Sequence, residues 1–146
     1  MQKEIIRITI KGASGYGPVD EAYEDRLSLT ASSISYEYKP HPYSDSKTNI
    51  YRKWSYKTSS PLFKEIFQQV AAMTPDIIHC DEDLFACDIG PTEIIVTYDD
   101  KHREAETFFC PSEYFKEYFR IIKKLIPGCE YIPAVLLTDE DFEGES

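Results

Sequence analysis

The residues best suited to chemistry fall in one short segment. His79, Cys80, Cys87 and Asp88 lie close together in the chain. Thiolate and imidazole are good zinc ligands. The spacing, however, matches no common zinc module, and the four cysteines, Cys80, Cys87, Cys110 and Cys129, include no CxxC pair. Asp81, Glu82, Asp83 and Asp88 could attract a hard cation, but they lack the glycine-centred loop of an EF-hand. His79, Cys80, Cys87 and Asp88 are therefore candidates for lining a pocket. No metal, cofactor or catalytic residue is assigned.

A second motif is Gly12-Ala13-Ser14-Gly15-Tyr16-Gly17, directly after a β-branched run. Glycine-rich turns of this kind hold a pyrophosphate when a helix follows, because the helix N-terminus faces the anion. Here Pro18 follows, and then the acidic stretch to Asp25, so a surface loop is expected. His41, His79 and His102 are scattered along the chain, with no nucleophile elbow to accompany them. Tyr36, Tyr38, Trp54 and Tyr56 could stack bases, but their alternation places them on a core-facing strand surface. Tyr43 and Tyr51 are expected at the surface.

The elements that must position these residues read as follows. Residues 4–10 are β-branched and form a first strand; residues 12–24 form a loop. A second strand region runs over residues 26–39. Its apolar phase slips at Ala31-Ser32-Ser33, where a bulge or break is expected. A third strand spans residues 49–58. Ser60 then caps a helix whose first position is Pro61, with Leu62, Phe63, Ile66, Phe67, Val70 and Ala71 at helical spacing and Pro75 as its stop. Residues 76–91 are irregular, with a turn of helix near 83–86. Residues 93–98 and 103–109 form a hairpin about Asp99-Asp100-Lys101. A second helix opens at Pro111-Ser112-Glu113 and stops at Pro127-Gly128. The run 132–137 forms a last strand or packed segment.

The expected fold is thus α+β, in the order ββ β α ββ α: a mainly antiparallel sheet of about five strands with two amphipathic helices on one face. Ile34, Tyr36, Tyr38, Trp54, Tyr56, Ile94, Val96, Tyr98, Ala105 and Phe109 are expected on the buried face, and Ser35, Glu37, Lys53, Lys57, Thr97, Glu104 and Glu106 on the wet one. The two helices also echo one another. Residues 60–75 and 112–127, offset by 52, match at six of 16 positions, including the pairs Phe63/Phe115 and Phe67/Phe119. A duplicated hairpin-helix unit and a coincidence of core packing both explain this. Residues 1–138 read as one domain and 139–146 as an acidic, mobile tail.

Composition bounds the function. With 42% apolar and 14% aromatic residues among 146, the chain can bury a core without disulfides or metals. Its 16 Lys+Arg against 26 Asp+Glu give a net charge of −10, which argues against nucleic acid as a partner. A cytoplasmic address is expected, with no apolar run able to span a membrane. The expectation is a non-catalytic module that binds another protein or a second copy of itself. The alternatives are a ligand- or metal-binding protein or enzyme with its site near residues 79–88, and an acidic mimic of nucleic acid.

Overall fold

A computed structural model describes residues 4–14, 18–79, 91–109, 112–138 and 141. Within these residues six strands form one antiparallel sheet: β1 (Ile5–Ala13), β2 (Tyr23–Thr30), β3 (Ser33–Pro40), β4 (Arg52–Lys57), β5 (Thr92–Tyr98) and β6 (Arg103–Phe108), in the spatial order β4-β3-β2-β1-β5-β6. Both edge strands lead into helical segments. After β4 comes α1 (Pro61–Ile78); after β6 come a 3-10 turn (Ser112–Phe115) and α2 (Lys116–Lys123). The class is α+β, with six strands rather than about five.

The extra strand comes from the phase slip in residues 26–39. Leu27, Leu29, Ile34 and Tyr36 share one face, with Leu29 opposite Ile34 and Leu27 opposite Tyr36. The chain reverses at Ala31-Ser32, so the slip is a two-residue hairpin turn rather than a bulge within one strand. A bulge does occur at Ile6, where the β1–β5 register shifts and the side chain is left 45% exposed.

One face of the sheet is the core. Ile8, Ile10, Leu27, Leu29, Ile94 and Val96 are completely buried, each such burial contributing roughly 1.5–3 kcal/mol. Against them pack Phe67, Val70 and Ile78 of α1, Tyr118, Phe119 and Ile122 of α2, and Val135 and Leu136 of a 3-10 turn (Ala134–Leu136). Tyr118 donates its buried hydroxyl to Thr74 Oγ1 at 2.8 Å, joining the helices, while Thr74 donates to Val70 O at 2.7 Å. The run 132–137 is thus a packed segment.

Several local expectations need correction. α1 passes through Pro75 and ends at Ile78. Proline costs only the bond to the Ala71 carbonyl, and buried Ile78 holds the last turn in place. Ser60 Oγ accepts from Phe63 N, as a cap should. β1 continues through Gly12 and Ala13, pairing with β2 on one side and, through Gly12, with β5 on the other, so Gly12 is a strand residue. Among the described residues the next long element is the antiparallel strand β2, not a helix.

The facing of β6 is the reverse of the expected one. Thr97 pairs with Arg103, and Val96 with Glu104, so Glu104, Glu106 and Phe108 lie on the helix side. The turn sets this phase: Lys101 takes φ 70° and Tyr98 N donates to His102 O. Phe108 is 8% exposed, whereas Phe109 is 42% exposed. Being at the sheet edge, β6 can carry carboxylates on that side. On β4, Trp54 is half-buried against Tyr36 and Tyr56, and Tyr56 itself is exposed. Asp141 is not a loose tail residue: it accepts from Lys123 Nζ at 2.6 Å and Thr138 N at 2.9 Å.

Candidate functional site

Of the pocket candidates, only His79 lies within the described residues; Cys80, Cys87 and Asp88 lie outside them, as does Cys110. His79 follows α1 and its Nε2 lies 2.7 Å from Glu104 Oε2 on β6. That hydrogen bond is the main cause holding the Glu104 carboxyl below the usual range. Glu104 also hydrogen-bonds Tyr98, whose ring stands 5.9 Å from that of His102. An open groove of about 1010 Å³ borders the pair, between α1 and the sheet end, lined in part by Ile5, Phe67, Ala71 and Tyr98. Among the described residues no group of His, Cys, Asp and Glu is arranged to hold a metal ion. His102 is exposed on the turn beside Glu104 and adds a smaller electrostatic pull on that carboxyl; His41 is exposed and distant in sequence, and its Nδ1 accepts from Tyr43 N within its own loop.

The other face of the sheet has no helix on it among the described residues, and its charge is unlike that of the whole chain. Strand alternation turns seven cations outward: Arg7 and Lys11 on β1, Arg26 on β2, Lys39 on β3, Lys53 and Lys57 on β4, and Arg103 on β6. Only Glu24, Glu37 and Glu93 join them from the strands. This face is net positive in a chain of net charge −10. All seven cations are exposed.

The charges are ordered in a row that crosses five strands. Glu93 lies opposite Lys11, Lys11 opposite Arg26, Arg26 opposite Glu37, and Glu37 opposite Lys53. Lys11 approaches Glu93 at 3.8 Å and Lys39 approaches Glu37 at 3.4 Å. Glu37 also accepts from Tyr51 OH at 2.7 Å, and this bond leads the causes that hold its carboxyl low. Arg26, central in the row, forms no ion pair with another described residue, and neither do Arg7, Lys57 and Arg103. The neighbouring row is made of short side chains, with Thr9 beside Ser28, Ser28 beside Ser35, and Ser35 beside Ser55. Around Lys11, Ala13, Glu24 and Arg26 the face is concave, with a depression of about 470 Å³.

Beneath this face a buried carboxylate fixes the C-terminal segment. Asp25 is 4% exposed; its Oδ2 accepts from Tyr36 OH at 2.8 Å and Val135 N at 2.9 Å. Ala134 N donates to Tyr36 OH at 3.2 Å. The other oxygen, Oδ1, is buried with no hydrogen-bond partner among the described residues. Burial raises the Asp25 pKa, against the pull of the Tyr36 and Val135 bonds. Gly12 is what lets these groups meet: a Cβ there would stand 2.6 Å from Asp25 Oδ1 and 2.7 Å from Val135 Cγ2.

The chain matches no family model and no curated protein. The positive face was readable in part, since Lys53, Lys57, Ser35 and Glu37 follow from strand alternation. The strand order that lines Lys11 and Arg26 up with them is not encoded in any local pattern.

Proposed function

We propose that this chain is a non-catalytic binding module that docks an acidic protein segment on the open face of its sheet. The observation that carries the reading is the net positive, exposed face on a strongly acidic chain. Charge of one sign collected on one surface steers an oppositely charged partner and sets its register. A protein segment fits better than nucleic acid. Glu93 and Glu37 flank the Lys11–Arg26 pair, so a continuous phosphate backbone would meet repulsion within the same row. Discrete carboxylates can avoid those positions.

Fluorescence anisotropy with a labelled oligoglutamate peptide tests this. Binding should weaken with salt, and Lys11→Glu with Arg26→Glu should lower affinity about tenfold. Unchanged affinity in the double variant would overturn the reading. Tighter binding of a single-stranded oligonucleotide of equal charge would move the chain to the nucleic-acid class.

One observation favours a second reading, a small-molecule site in the groove beside His79 and Glu104. Native mass spectrometry of the purified protein, with a denatured control, tests it: a mass adduct lost in His79→Ala supports the site.

A further inference from the structure

We infer that an extended part of the acidic partner, beyond the part seated on the face, adds to the sheet as a further strand alongside β4. This rests on the reading above and specifies how the partner is held. β4 is the first strand in the sheet order, and among the described residues no strand pairs with its far side. Thr58 N donates to Ser32 O at 2.8 Å, which fixes the alternation along the strand. Arg52, Trp54 and Tyr56 then direct their main-chain groups to β3, while Lys53, Ser55 and Lys57 direct theirs away from it. All three of these residues are exposed. Among the described residues they form a short row of open donors and acceptors, which is what strand addition uses.

The side chains specify the occupant. Lys53 and Lys57 stand on the positive face, four residues and so roughly 13 Å apart. An incoming strand has its own residues i and i+4 at the same spacing, so two carboxylates there meet the two lysines. Between them, its i+1 and i+3 side chains point to the helix side, beside Trp54 and Tyr56, whose hydroxyl donates to Glu130 Oε1 at 2.6 Å. The expected segment is extended, with acidic residues at i and i+4 and apolar ones at i+1 and i+3. A second copy is disfavoured in the same geometry. Antiparallel pairing of β4 with β4 about Ser55 would set Lys53 against Lys57, and like charges directly opposite destabilise a sheet.

The probe is a capped, labelled peptide of alternating Glu and Val, measured by anisotropy, with hydrogen exchange on the complex. Wild type should bind it and show slowed exchange at the Ser55 amide. Ser55→Pro removes one outward donor and no bond to β3, and should weaken binding about tenfold. Because proline can disturb a strand, the same peptide N-methylated at alternate residues is tested on wild-type protein; one of its two methylation phases should lose binding. If Ser55→Pro and both methylated peptides bind as well as their parents while Lys11→Glu with Arg26→Glu abolishes binding, strand addition is overturned and face docking stands. If wild type binds neither this peptide nor oligoglutamate, both readings fall. Dimerisation through β4 in place of peptide binding would also overturn the inference.

Discussion

Replacing Gly12 by alanine should destabilise the protein, although glycine-to-alanine in a strand ordinarily does the opposite. Gly12 does not have positive φ. On backbone entropy alone the change should stabilise by about 0.4–1 kcal/mol. The new Cβ, however, would stand 2.6 Å from Asp25 Oδ1, 2.7 Å from Val135 Cγ2 and 2.9 Å from Val135 Cβ. Neither neighbour is free to leave. Asp25 is held by Tyr36 OH and Val135 N, and Val135 is 7% exposed. Overpacking of this kind costs about 1–3 kcal/mol, which outweighs the entropic gain. Val135→Ala alone should cost about 2 kcal/mol through lost burial. Removing Val135 Cγ2 also takes away one of the clashes, so the double variant should be at least 1 kcal/mol or so more stable than the sum predicts. Urea denaturation of the four proteins, followed by Trp54 fluorescence, gives the cycle. Wild-type stability in Gly12→Ala, or strict additivity in the double variant, would refute the close approach of β1 and the 134–136 turn.

Other expectations follow from the same core. Asp25 has a raised pKa in the fold, so the folded state holds its proton longer than the unfolded chain. Its contribution to stability is present below the unfolded value, about 3.9, and is lost as pH rises through the folded value. Asp25→Asn should remove that fall, checked by Tm against pH. Asp141 has the opposite sign. Burial pushes it up, but the Lys123 and Thr138 bonds outweigh burial and leave it lowered. Its contribution is present above the unfolded value and lost as pH falls through the folded one. Lys123→Met should weaken that acid-side dependence and speed amide exchange across residues 134–138. Tyr118→Phe removes the donor to Thr74 Oγ1 between the helices and should cost about 1 kcal/mol in urea denaturation.

Much of the fold could be read locally because its signals are local. Ser60 and Pro61 open α1, Phe67 and Val70 face the sheet as their spacing requires, and Ile94, Val96 and Tyr98 alternate inward. What escaped depends on distant pairing. The phase of β6 was set by the turn at Lys101, not by its own apolar residues, so Phe108 rather than Phe109 entered the core. Pro75 stops a helix only where nothing buries the next turn, and Ile78 is buried. Asp25 looked like one more surface acid, because Tyr36 and Val135 reach it from far along the chain. The positive face was hidden by the total charge. A balance of −10 argues against anionic partners only when the charge is evenly spread, and here the strands sort the cations outward.

The most direct test of the account is to map where an acidic peptide touches the protein. In a 15N-labelled sample titrated with oligoglutamate, amide shifts should concentrate at Lys11, Arg26, Glu37 and Lys53 and neighbouring strand residues, and should shrink as salt is added. Shifts confined to α2 and the segment that follows it, with the sheet face silent, would contradict the account.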